Sequence, residues 1–142
     1  LETTGYNYSK RRCERIVKWF VNAYLPRYKI SISIDHLGLI NQGVFGWMWA
    51  SDCDYRPREF EIELHNRMTP ENYTKTLLHE LWHVHQHVKG LLKDKHNKRL
   101  WKGIDHSETD YADQPWERQA NTMEEYLFNR YSKYLTRSNL SL

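Results

Sequence analysis

Hydrophobic and polar positions recur along this chain with two periods, and together they delimit six elements. Residues 9–25, SKRRCERIVKWFVNAYL, place Ile16, Phe20 and Ala23 or Tyr24 on one stripe at helical spacing, and Pro26 ends the run. In YKISISIDHL, Ile30, Ile32 and Ile34 alternate with Ser31 and Ser33, the period of a strand with one buried face. LGLINQGVFGWMWASD carries three glycines and then a hydrophobic run, which predicts a turn and a second strand around residues 44–50. In REFEIELHN, Phe60, Ile62 and Leu64 alternate with Glu59, Glu61 and Glu63, giving a third strand with one wet face. TPENYTKTLLHELWHVHQHVKG predicts a helix with Thr69 as N-cap, Pro70 in the first position and Gly90 as the stop. Residues 91–114 are polar and irregular, relieved only by RLWKG. A last helix begins near DQPWERQAN, with Pro115 in its first turn, and runs to about Tyr134. The order of helix, three strands, helix, loop and helix predicts an α+β fold, and the short connections predict a mostly antiparallel sheet.

Composition narrows the class without naming a function. A chain of 142 residues fits one domain, 1–142, and its aromatics (14%) supply much of the area to bury. No apolar run approaches the roughly 20 residues that span a bilayer, so no membrane partner is expected. No apolar stretch precedes a small-residue cleavage site, so the reading expects an intracellular, cytoplasmic protein. The two cysteines, Cys13 and Cys53, lack metal-ligand spacing and are expected as reduced thiols. A formal charge of +3 permits contact with nucleic acid without arguing for it. The oligomeric state is left open.

The chemistry concentrates in LLHELWHVHQHVKG, where four of the eight histidines lie within residues 79–87. At about 100° per residue, Leu77, Leu81, Val84 and Val88 share one face, with His79 and His83 together on the other and Glu80 at its edge. This is H-E-x-x-H: imidazoles one turn apart converge on one zinc ion, and the glutamate reaches water at the metal as general base. His87 extends the series but lies about 12 Å along the axis from His79, too far to share an ion. His85 falls on the apolar side, and Gln86 falls on the His79 face, where it can support a ligand. The helix therefore supplies two ligands, and the third must come from elsewhere.

An eleven-residue continuation with Gly at 86 and His at 89 is absent, since these are Gln86 and Lys89, which excludes the metzincin arrangement. A His₂Glu site needs a carboxylate from the last helix, which offers Glu117, Glu124 and Glu125. Glu117 shares the inward face with Asn121, Glu124 and Phe128, and an inward carboxylate is costly unless paired or bound to a metal. Glu124 is its rival or a second support for a ligand histidine, Glu125 falls towards solvent, and His106 and Asp110 are further candidates. LLHELWHVHQ, RLWKG and YADQPWERQAN together resemble the compact SprT-like zinc metallopeptidases, including those encoded by bacteriophages. ERQAN also resembles the E-x-x-A-N helix of ImmA/IrrE-type peptidases. The resemblance implies a minimal zincin fold and a Zn²⁺ site of His79, His83 and Glu117. SprT-like proteins often add a C-terminal zinc ribbon, but there is no Cys-x-x-Cys pair here, so that second site is not expected.

Four further expectations follow. Tyr111, in the loop before the last helix, is a candidate to stabilise the oxyanion beside the metal. Strand 58–65 is a candidate edge for a peptide or protein substrate to extend. Trp47 and Trp49, on one face of their strand, are expected in the core. The basic segments KRR (10–12) and KDKHNKR (93–99) offer a weak case for nucleic acid. The expected activity is zinc-dependent peptide hydrolysis with Glu80 as catalytic base. The alternatives are a zinc-retaining binding or regulatory module, and a DNA-associated protein acting on nucleoprotein.

Overall fold

The computed structural model describes residues 1–39, 43–53 and 55–142. Its elements are β1 (Glu2–Gly5), α1 (Lys10–Tyr24), β2 (Ser31–Leu37), β3 (Gly46–Ala50), β4 (Glu59–His65), α2 (Pro70–Val88), β5 (Leu92–Lys95), β6 (Lys98–Trp101), β7 (Ile104–Asp105) and α3 (Pro115–Arg137), the last preceded by a 3₁₀ turn, Tyr111–Asp113. The fold is α+β, as expected. The turn expected before the strand at residues 44–50 falls partly outside the described residues.

Helix boundaries follow local chemistry. Ser9 caps α1 by accepting from the Arg12 amide, and Thr69 caps α2 by accepting from Asn72, with Pro70 at the first position. Gly90, at φ +75°, ends α2: its amide donates to His87 O, and that of Leu91 donates to Gln86 O. Asn139 stops α3 by the same pair of bonds, and the helix runs to Arg137, three residues beyond the expected end at Tyr134.

The main sheet has the order β1-β2-β4-β3, and its pairing differs from the expectation. β1 runs parallel to β2 and β2 parallel to β4, while only β3 is antiparallel to its neighbour β4. α1 makes the crossover between β1 and β2, which is what lets those strands run parallel. Strand 58–65 is consequently internal, and the edge beside α2 is β3. The apolar rows of β2 and β4 (Ile32, Ile34, Phe60, Ile62, Leu64) pack under Cys13, Ile16, Val17 and Phe20 of α1 and Leu77, Leu78, Leu81 and Val84 of α2. Of the two candidates closing the α1 stripe, Tyr24 packs on this core and Ala23 is exposed. α2 touches α1, β3, β4, β5 and α3, so it is the hub of the fold. β3 closes tightly on it at Gly46, where a Cβ would lie 2.9 Å from Leu64 and 3.0 Å from Thr76.

Residues 91–114 are not irregular. β5, β6 and β7 form a second, antiparallel sheet, joined by two-residue turns at His96–Asn97 and Lys102–Gly103, all four with φ between +49° and +84°. Among the described residues, only Leu92, Trp101 and Trp116 make its buried cluster, too few to show as an apolar period in the sequence. Trp47 and Trp49 are also not core: both are exposed on the face of the main sheet turned away from the helices. Among the described residues, no helix is long and apolar enough to cross a membrane.

Candidate metal centre

The phase of α2 aims two imidazoles at α3. Burying Leu77, Leu81, Val84 and Val88 turns His79 and His83 away from the sheet, with ring centroids 4.9 Å apart. On α3, buried Trp116 and Ala120 seat the first turn, and this brings Glu117 between the histidines. Its Oε1 lies 2.8 Å from His83 Nε2 and its Oε2 lies 3.2 Å from His79 Nε2. The three side chains each offer a ligand atom within 4.8 Å of the others, so the group can hold a metal ion. Ligands at ~2.1 Å around a tetrahedral ion stand roughly 3.4 Å apart, a small adjustment from these contacts.

The outer bonds decide which nitrogen of His83 is free. The indole N–H of Trp82 can only donate, and it donates to Gln119 Oε1 at 2.9 Å. Gln86 Nε2 donates to that same oxygen and to Trp116 O, both at 3.0 Å. Gln86 Oε1 therefore accepts from His83 Nδ1, at 2.7 Å. With its proton on Nδ1, His83 presents a bare lone pair at Nε2. That atom is buried and makes no hydrogen bond among the described residues, although a carboxylate oxygen stands 2.8 Å away. Two lone pairs at that distance repel, and a cation between them removes the conflict. His79 Nδ1 lies 3.4 Å from Glu124, which falls outside the group of three that can hold an ion.

Charge in the site is tightly coupled. Burial works to lower His79, but Glu117 and Glu124 outweigh it and hold its imidazole up at about 10. Burial works to raise Glu117, yet the two histidines beside it keep it well below the ordinary carboxylate range. Glu80, beside them and buried, is raised by desolvation. Tyr111, mostly exposed, donates its hydroxyl to Glu117 Oε2 at 3.0 Å. Desolvation and that carboxylate push its phenol up to about 12.

His79, Glu80, His83, Tyr111 and Glu117 all line one cleft of about 240 Å³, walled by Gly46, Trp47 and Met48 of β3 and by Arg99 of β6. Arg99 is held by a bidentate pair with Asp94 and lies over the Trp116 ring. A groove of about 670 Å³ between α1 and β2 is larger but contains no cluster of ligating groups. Three sequence candidates stay outside the metal group. His106 bonds Thr109, Asp110 starts the 3₁₀ turn, and His87 packs near Phe60. His85 stacks on Trp82 at 4.2 Å. The sequence reading did not single out Gln119 or Arg99. Each acquires its place only when α3 or β6 docks on α2, and no local spacing signals that. The chain matches no family model, no curated protein and no solved structure.

Proposed function

We propose that this protein is a zinc-dependent peptidase in which His79, His83 and Glu117 hold the metal and Glu80 is the general base. The observation that carries the reading is the unpaired Nε2 of His83 facing Glu117, in a cleft that also contains a buried, unligated carboxylate. Two imidazoles and a carboxylate with one side open to a cleft form the donor set of catalytic zinc sites. Zinc, when bound, polarises a carbonyl and makes water acidic enough to lose a proton near neutral pH.

The chain's own groups account for the proton movements. Glu80 takes a proton at its carboxylate as water attacks the carbonyl carbon, then passes it to the amine nitrogen as the C–N bond breaks. Desolvation helps by making Glu80 a better proton acceptor than an ordinary glutamate. Tyr111 is placed to turn from Glu117 and donate its O–H to the carbonyl oxygen. A peptide suits the surroundings, because β3 presents an edge beside the cleft that an extended chain can join with main-chain hydrogen bonds. The cleft is smaller than the ~300–1,000 Å³ of drug-sized sites, so it takes a peptide group and a side chain while the rest of the substrate stays outside.

Elemental analysis of the purified chain tests the metal, and hydrolysis of a casein digest tests the reaction. We expect one zinc per chain, lost in His79→Ala and Glu117→Ala. We expect Glu80→Gln to keep the zinc and lose turnover by roughly 10²–10⁴-fold. No metal after zinc is supplied would sink the reading. Full zinc without hydrolysis in the wild-type protein would instead identify a metal-retaining binding module.

A further inference from the structure

The face of the main sheet turned away from the helices is uncovered among the described residues, and its side chains are ordered in rows. Register places Thr4, Asp35, Glu63 and Trp47 in one row across the four strands, and Glu2, Ser33, Glu61 and Trp49 in the next. Glu59 follows, one step along β4 beside Ser31. Phe45 precedes Trp47 by two residues, and its carbonyl accepts from the His65 amide, so it continues the same side of the strand. The edge strand thus shows three aromatic rings at alternating positions, with exposures of 59%, 42% and 45% for Phe45, Trp47 and Trp49. Large rings on a bare sheet face are unfavourable in water unless something covers them.

Charge decides what covers them. Beside the rings stand Glu59, Glu61, Glu63 and Asp35, with Glu2 at the far edge. Ion pairs among the described residues engage Glu14, Glu71, Glu117, Glu124, Glu125, Asp94 and Asp113, and none of these five. Asp35 accepts from Thr4 and Glu63 from the Trp47 indole N–H, bonds that leave both charges uncompensated. The chain as a whole carries a net charge of +3, so this acidic face stands against the sign of the molecule. Indole faces beside carboxylates attract lysine ammonium and arginine guanidinium groups, and the same charge repels nucleic acid.

We propose that β3 and the open face beside it bind an extended polypeptide carrying Lys or Arg at alternating positions. The main chain pairs with the edge of β3. Every second side chain then lies over Trp47 or Trp49, and its cationic end reaches towards Glu61 or Glu63, one strand further in, at about 10 Å from the added backbone. The intervening side chains point to the other side of the sheet, where Gly46 and Met48 border the cleft. This rests on the reading of β3 as the substrate edge, and it assigns that substrate a class: basic residues spaced two apart along the stretch that passes the cleft.

The test compares three labelled nine-residue peptides by fluorescence anisotropy on the full-length protein: Lys alternating with Val, Glu alternating with Val, and the same Lys and Val in two blocks. We expect the alternating Lys peptide to bind at least tenfold tighter than the acidic one and several-fold tighter than the blocked one. Trp49→Ala should weaken it by roughly fivefold. Glu61→Gln with Glu63→Gln should weaken it by about tenfold. Glu71→Gln with Glu125→Gln, distant on α2 and α3, should leave it unchanged. Far-UV spectra and melting curves establish that each variant is folded. Equal binding of the blocked peptide, or no loss in either face variant, would overturn the proposal. Binding by metal-free protein and by Glu80→Gln separates the two readings. If they bind with this preference while the zinc-supplied wild-type protein hydrolyses nothing, the face stands and the peptidase falls. If hydrolysis proceeds with no preference for basic peptides, the reverse holds.

Discussion

Gln86 shows how a single neutral side chain sets the chemistry of a charged site. Its oxygen holds the proton of His83 on Nδ1, and its nitrogen is fixed by Trp116 and Gln119. Gln86→Leu removes both constraints while preserving volume. We expect metal affinity to fall 10- to 100-fold in chelator competition, the usual range when a ligand histidine loses its outer partner. The fold should persist, because the apolar stripe of α2 is untouched. Glu124→Gln should do less, since its contact with His79 is longer, at 3.4 Å. Tyr111→Phe should keep the metal, because its hydroxyl touches Glu117 rather than supplying a ligand atom of the group. A drop in kcat with KM held would then place that hydroxyl on the transition state rather than on binding.

Elements in this fold are held by a few backbone positions whose conformation is demanding. Gly90 ends α2 at φ +75°, where a Cβ is unfavourable, so Gly90→Ala should lower unfolding free energy by about 1–2 kcal/mol in urea melts. Lys102 occupies φ +49° without being glycine, and Lys102→Gly should stabilise the protein by up to about 1 kcal/mol. Gly46→Ala probes a different constraint, the approach of β3 to α2. Its methyl would meet Leu64 and Thr76 at 3.0 Å or less, and crowding of this kind costs about 1–3 kcal/mol. That variant should also shift the cleft wall, visible as a raised KM once a substrate is in hand.

At the scale of the whole molecule, buried histidines couple folding to pH. Desolvation holds His36 below its ordinary value of 6.5, despite its bond to Thr4 O and the charge of Asp35. Burial pushes His87 lower, to about 4. An unfolded chain binds protons at these groups below about 6.5, whereas the folded one takes them up only at lower pH, near 4 for His87, so protons favour unfolding in that window. The contribution of these two histidines should therefore be complete above pH 6.5 and fall steadily as pH drops towards 4. Glu117, depressed in the fold, adds its own loss only below its ordinary value of 4.5. Urea midpoints between pH 7 and 4.5 follow this loss, and His36→Gln should flatten the slope. A midpoint independent of pH over that range would refute the assignment.

Periodicity and caps made all three helices and three of the main strands legible, because Pro26, Thr69, Pro70, Gly90 and Pro115 are local signals written within a turn of where they act. The spacing of His79 and His83 and the inward phase of Glu117 were legible for the same reason: a helix converts sequence separation directly into direction. Strand order was not. β2 and β4 read identically whether they pair parallel or antiparallel, and only the packing of α1 across the sheet chose. Alternation also says that β3 has two faces without saying which one is covered, so Trp47 and Trp49 could be placed in solvent only once every helix was seen on the other side. The small sheet at residues 92–105 escaped for want of apolar residues, its turns resting on His96, Asn97 and Lys102 in a conformation that side chains rarely announce. The sequence alone determined which side chains could meet within a helix. Which helices and strands meet was decided by tertiary packing, since contacts between distant segments depend on the shape of every surface that must be buried at once.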